Sequence, residues 1–245
     1  MADFNKSTIK AFSILESFAI ASKNKLTLLE LSEITKIPLS TVFRMVSTLC
    51  SLGYLYREEL TKAYHLGWKV AQIAESMERS TELLLKEVAY PFVTELSEKH
   101  NENTSIYTQI DKKRICIMRV DGTQEVRNIV SVGYIADIHL GSPGKVLLAF
   151  LPENRWKYYV SDADSSFFQL LREVREVGFA TSDGERTVGV SSISAPVFDA
   201  NNNIIAALTL SGPVFRFKEN KYEEKIKNVK KYARLITNEI IKKSK

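Results

Sequence analysis

Cysteine is scarce: Cys50 and Cys116 are the only two in 245 residues, and each lies inside an apolar run with no nearby Cys or His. That excludes a disulfide-stapled scaffold and points to a reducing compartment, the cytoplasm. Histidine is little commoner. His65, His100 and His139 are too scattered along the chain to assert a metal site, and neither a metal nor another cofactor is expected. Ten glycines and six prolines are too few for a collagen-like or low-complexity chain. No window of about 18 uncharged apolar residues exists, so no membrane span is expected. Residues 1–10 lack the apolar stretch of a secretory signal. What remains is an ordinary globular mixture, 44% hydrophobic and 26% charged, long enough for one large domain or two smaller ones.

The net charge of +5 is unevenly spread. Residues 1–70 hold nine basic and six acidic side chains, residues 71–215 fourteen and nineteen, and residues 216–245 eleven and four. A basic head and tail around an acidic middle fit contact with a polyanion. A basic tail is equally what a solvated helix face looks like.

The first 70 residues are mostly helical. Ser7 caps a helix through Ile9, Phe12, Ile14, Leu15 and Phe18. Thr27-Leu28-Leu29-Glu30 is a capping box, in which hydroxyl and carboxylate satisfy each other's free backbone N–H. The short helix it opens turns Leu28, Leu31 and Ile34 inward and ends near Pro38, because the residue before proline disfavours the helical region. A further helix starts at Leu39 or Ser40, carries Val42, Met45, Val46, Leu49 and Leu52 on one side, and stops at Gly53. Residues 54–57 and 63–66 then predict two short strands around a charged turn. From Trp68 to about Met77 a helix has the apolar stripe Val70, Ile73, Ala74 and Met77.

The rest of the chain mixes helices and strands. A helix is predicted at 81–100, strands at 104–110, 114–120 and 126–132, and helices at 143–150, 153–160 and 166–177. Strands at 190–198 and 204–210 flank Asn201-Asn202-Asn203 as a hairpin. A last helix spans about 219–243, with Tyr222, Ile226, Val229, Ala233, Ile236 and Ile240 as a packing seam and its lysines in water.

Two helices joined by a tight turn and followed by a two-stranded ribbon make a winged helix-turn-helix. The major groove admits one helix, whose N-terminal side chains reach base edges. Here those are Ser40, Thr41, Phe43 and Arg44, outward around Val42 and Met45. Arg44 can read guanine or hold a phosphate, and Lys62 at the wing tip can reach the DNA backbone. An ordinary helical hairpin with a solvated face has the same local pattern.

Several stretches together resemble IclR-type transcriptional regulators. In the first half these are Leu28-Leu29-Glu30-Leu31-Ser32, Pro38 through Arg44, Leu52-Gly53-Tyr54-Leu55 and Tyr64-His65-Leu66-Gly67. In the second half they are Leu140 through Leu151, Arg175 through Ala180, Gly189-Val190 through Asp199, and Ala206 through Pro213. The resemblance runs along nearly the whole chain in the family's order. It implies an α+β architecture: a winged helix-turn-helix over residues 1–67, a linker helix over 68–80 and a GAF-like α/β effector-binding domain over 81–245. It also implies a homodimer or a dimer of dimers on a double-stranded DNA operator. In the family, positions matching Val190, Ser192, Thr209 and Ser211 line the effector pocket, and Asp183 matches an acidic stretch that approaches the ligand.

Three fragments invite an enzymatic reading. Gly144-Lys145 resembles the end of a phosphate-binding loop, but His139 and Val146 break that pattern. Gly189 through Ile193 starts like a nucleophile elbow and lacks its closing glycine. Ser142-Pro143-Gly144-Lys145 satisfies S-x-x-K without the partner motifs of that hydrolase group. A serine hydrolase using Ser142 and Lys145 is therefore the alternative to a regulator with no catalytic residue. Ligand binding accounts for the same residues. Pro143 fits a helix first turn, and small Gly141, Ser142 and Gly144 leave its N–H groups open to a carboxylate. Period two puts the hydroxyls of Ser192, Ser194, Thr209 and Ser211 on one strand face, with Ser192 opposite Thr209; a half-solvated sheet face is the other reading. With Val190 and Ile129 closing the pocket and no arginine in the cluster, a small organic or aromatic acid is expected rather than a phosphate ester.

Overall fold

The structure, a computed structural model, describes residues 5–21, 23–76, 81–125, 130–219 and 222–243. The chain divides into two compact units, residues 1–80 and 81–245.

In the first unit α1 (Lys6–Ala21), α2 (Leu28–Thr35) and α3 (Leu39–Ser51) precede the ribbon β1 (Leu55–Arg57) and β2 (Tyr64–Leu66), and α4 (Trp68–Ser76) follows. Asn5 rather than Ser7 caps α1: its Oδ1 accepts from the Ser7 and Thr8 N–H groups. The capping box at α2 is formed, with Thr27 N–H donating to Glu30 Oε2 at 2.8 Å and Glu30 N–H to Thr27 Oγ1 at 3.2 Å. Lys36, with φ of 58°, turns the chain out of α2. Ser32 Oγ then ties the turn by donating to the Ile37 carbonyl at 2.7 Å. Ile14, Phe18, Leu31, Val42, Val46, Leu49, Leu55 and Tyr64 form the core. Ile9, Phe12 and Leu52, which periodicity turned inward, stay exposed. Three short helices and a ribbon bury one stripe of α1 and have no element left to cover a second. Gly53 ends α3 at φ of 80°, and a Cβ there would stand 3.0 Å from the Trp68 indole nitrogen.

The second unit opens with α5 (Thr81–His100), β3 (Asn103–Ile110), β4 (Lys113–Val120) and β5 (Ile135–Asp137). It continues with α6 (Gly141–Ala149), α7 (Glu153–Tyr159), α8 (Ser165–Val177), β6 (Ala180–Asp183), β7 (Val190–Phe198) and β8 (Ile204–Pro213). It closes with α9 (Val214–Glu219) and α10 (Tyr222–Lys243). The strands make one antiparallel sheet in the order β5-β4-β3-β8-β7-β6. Ile193, Ala195, Val197, Leu208 and Leu210 face α5 and α10 on one side. Cys116 and Ala207 face α6, α7 and α8 on the other. Burial pushes the Cys116 thiol up to about 11, so it behaves as a small apolar side chain.

The departures from the sequence expectation are local. Of the strand expected at 126–132, residues 126–129 lie outside the described residues and 130–132 are not extended ladder; the short β5 pairs with β4 instead. Strand β6 and helix α9 were not anticipated, and α10 begins at Tyr222. Lys225 on α10 is buried, donating from Nζ to the Phe217 carbonyl at 2.7 Å, not immersed in water. Ser192 pairs with Ser211 and Ser194 with Thr209, so the expected hairpin register is off by two. The turn runs through Asn203, whose carbonyl accepts from Asp199 N–H, and a bulge precedes it at Val197/Phe198. A slip of two residues preserves which side chains share a face, and the four hydroxyls stay together.

Candidate functional site

The N-terminal unit presents a solvated surface on α3. Ser40, Phe43 and Arg44 are exposed and Thr41 is half-buried, all at the start of the helix. Val42 and Val46, on the opposite side, anchor it in the core. Further along, Ser47 and Thr48 donate their hydroxyls back to the Phe43 and Arg44 carbonyls, which leaves the first turn as the polar reading edge. Arg44 makes no ion pair among the described residues. A groove between α1 and α3 is lined by Ser7, Lys10, Thr41, Phe43 and Arg44, so Lys10 is a second cation at this face that periodicity alone did not single out. Lys62, with φ of 59°, is exposed at the wing tip.

The second unit holds a narrow cavity between the first turn of α6 and the sheet. It is tight, about 30 Å³, so a ligand of several heavy atoms enters only as the lining side chains draw back. Its lining includes Gly141, Val190, Ser192, Thr209 and Ser211, five residues expected from the sequence, together with Tyr107, Arg114, Pro143, Ser182, Arg186 and Thr187, which were not. Three expected residues fall outside the lining. Ser142 is fully buried and turned toward β7. Gly144 backs onto the Ile138 carbonyl, where a Cβ would come within 1.9 Å, so its bareness serves close packing and not an open N–H. Asp183 accepts from Ser191 Oγ at 2.6 Å; alternation along β6 puts its neighbour Ser182 on the cavity side. Ile129 lies outside the described residues.

Hydroxyls link the cavity wall to its interior. Ser192 Oγ lies 2.7 Å from Ser142 Oγ, which lies 2.7 Å from Ser194 Oγ, which in turn is 2.8 Å from Thr209 Oγ1. Four hydroxyls supply four protons and the three links consume three. One donor is therefore left over. If the links all run one way, an end residue, Ser192 or Thr209, presents the spare proton and the other end accepts, and both ends line the cavity. Such a chain can reverse to suit a ligand donor or acceptor at either end.

Arginines also reach the cavity, against the expectation of none. Arg114 is 2% exposed. Its Nε donates to the Leu140 carbonyl at 3.1 Å and its guanidinium lies 4.7 Å from the centre of the Tyr107 ring. Its Nη1 has no hydrogen-bond partner among the described residues. Burial pulls this guanidinium below its ordinary value, against the opposing pull of Tyr107. Arg186 enters from the β6–β7 connection with its guanidinium over the Tyr134 ring.

The family model described as the bacterial transcriptional regulator IclR C-terminal domain matches residues 77–238, and the IclR helix-turn-helix model matches residues 7–59. The chain belongs to the IclR family of bacterial transcriptional regulators. The HTH-type transcriptional regulator KipR of Bacillus subtilis is 26% identical, with 98% of this chain and 99% of the relative covered. The regulator KdgR of Escherichia coli is 26% identical over 96% of this chain and 92% of its own length. Among solved structures, the Thermotoga maritima IclR shares the fold with a TM-score of 0.75 at 22% identity, covering 96% of this chain and 98% of that one. An IclR homologue from Microbacterium hydrocarbonoxydans, complexed with 4-hydroxybenzoate, superposes with a TM-score of 0.74 at 21% identity over 96% and 99% of the two chains.

This IclR-family chain is thus a DNA-binding transcriptional regulator with an N-terminal helix-turn-helix unit and an α/β effector unit, not an enzyme. The side chains of the hydrolase alternative are spent elsewhere. Ser142 Oγ bonds two serines, and the Lys145 ammonium is held by the Thr181 carbonyl and the Glu185 carboxylate. No helix among the described residues is long and apolar enough to cross a membrane.

Proposed function

We propose that this regulator binds a palindromic operator as a homodimer or dimer of dimers, and that a small organic or aromatic acid in the α6 cavity sets its DNA affinity. The observation that carries the reading is the buried hydroxyl wall facing the uncapped first turn of α6. A helix N-terminus offers fixed N–H donors and partial positive charge to a carboxylate. The Microbacterium homologue with bound 4-hydroxybenzoate supports an acid as the effector. In this reading residues 1–67 bind DNA, 68–80 link, and 81–245 sense the effector. Ser40, Thr41, Phe43 and Arg44 enter the major groove while Lys62 holds backbone. Gly141, Val190, Ser192, Thr209 and Ser211 contact the effector; Ser142 acts one hydroxyl away, and Asp183 and Gly144 only shape the surroundings. Effector binding favours one arrangement of the two DNA-binding units, which fits or misfits the half-site spacing.

Genomic footprinting followed by gel-shift titration of the recovered operator tests both halves. Arg44→Ala weakens operator binding by about 1–3 kcal/mol, with the folded state unchanged. Ser192→Leu fills the cavity and leaves operator affinity intact while abolishing the response to 4-hydroxybenzoate or whichever acid proves active. Absence of sequence-selective binding refutes the operator assignment, and a normal effector response in Ser192→Leu refutes the cavity.

A further inference from the structure

We propose that the α6 cavity is an anion hole in which Arg114 makes a carboxylate on the ligand a requirement for binding. This rests on the effector reading above and goes beyond it by naming the group that reads the charge. Three positive features converge on the cavity. The Arg114 guanidinium is buried with Nη1 unpartnered among the described residues. The first turn of α6 runs beside it: a Cβ on Gly141 would stand 3.7 Å from Arg114 Nη2, and no side chain caps that turn. Arg186 is the third, on the same lining.

Like charges raise one another's energy, and the positive end of a helix is a poor neighbour for a cation. An opposite charge on a ligand satisfies the open Arg114 Nη1, and the described lining contains no aspartate or glutamate to do so. A planar carboxylate fits a guanidinium fork and also accepts from helix N–H groups. The far end of the ligand then meets Ser192, Thr209 and Ser211, where the reversible hydroxyl chain accommodates a hydroxyl or a carbonyl equally. Charge is therefore read at Arg114, and the hydroxyl wall tolerates variety.

The experiment compares acids with their neutral amides on the full chain, by thermal unfolding and calorimetric titration at millimolar ligand. The probes are lactate with lactamide, benzoate with benzamide, and inorganic phosphate, tested on wild type, Arg114→Gln, Arg114→Lys and Ser192→Leu. At least one acid is expected to raise the unfolding midpoint while its amide does not. Arg114→Gln should weaken that acid by about tenfold to a hundredfold, the value of one charge-assisted bond, and Arg114→Lys should recover part of it. The comparison within wild type stands even if a variant fails to fold. Amides binding as well as acids, or Arg114→Gln binding acids like wild type, or no acid binding at all, overturns the proposal. So does phosphate outcompeting both carboxylates. If acids and amides bind equally and both are lost in Ser192→Leu, only the role of charge fails and the effector cavity survives. Acid binding that persists in Ser192→Leu removes the cavity itself.

Discussion

A methyl group at residue 144 would stand 1.9 Å from the Ile138 carbonyl oxygen, a backbone atom with no freedom to withdraw. Space, not backbone flexibility, requires glycine there. Gly144→Ala must push the first turn of α6 away from the segment after β5, and a shift of that kind costs about 3 kcal/mol. Denaturant unfolding of the C-terminal transition should register the loss, and a change under about 0.5 kcal/mol would mean that α6 is free to move. From sequence alone this glycine could be seen only as small, because the Ile138 carbonyl meets it through the fold. Arg114 was legible in principle. Alternation along residues 113–120 puts it on the same face as Cys116, which is fully buried, and an arginine on an inward strand face is uncommon enough to mark a site. Ser182, one residue before Asp183, takes the cavity side instead, since a step of one along a strand reverses the face.

At the scale of the element, local chemistry was legible and pairing was not. The α2 capping box spans four residues, so its pattern and geometry are nearly the same information. Lys23 and the Thr27 amide together hold the Glu30 carboxyl down from 4.5 to about 2. A lowered pKa in the folded state means stability that is fully present above about pH 4.5 and drains away as pH falls toward 2. The carboxylate is about one-third exposed, so solvent screens much of this. Thr27→Ala is expected to cost about 1 kcal/mol at neutral pH, with the difference from wild type shrinking across that acid window. An unchanged difference at pH 2 and pH 7 would assign the effect to the hydroxyl alone. The β7–β8 hairpin behaves otherwise. The Asn201-Asn202-Asn203 triplet announces the turn, but the register also depends on the bulge at Val197/Phe198, which no short pattern announces, yet the period of two carried the hydroxyl face through the error.

Assembly belongs to the whole molecule. Two half-sites about one helical turn apart need two DNA-binding units. On α4 Trp68 is 65% and Ile73 52% exposed, and Val70 and Ala74 are also incompletely covered. Met77, the last residue of the expected stripe, lies outside the described residues. Among the described residues Ile73 is not one of the side chains that form the core of its own unit, so changing it should spare the winged fold. An apolar stripe left open beside a helix-turn-helix is most simply covered by a second copy of the chain. Wild type should therefore sediment as a dimer or larger at micromolar concentration. Ile73→Glu places a charge in that contact, which cannot be buried unpaired without large cost. The variant should shift toward monomer and lose about a hundredfold in operator affinity, the value of tethering the second DNA-binding unit. Circular dichroism should stay that of the folded protein. A wild type already monomeric, or an Ile73→Glu variant as dimeric and as tight on DNA as its parent, would place the subunit contact elsewhere on the molecule.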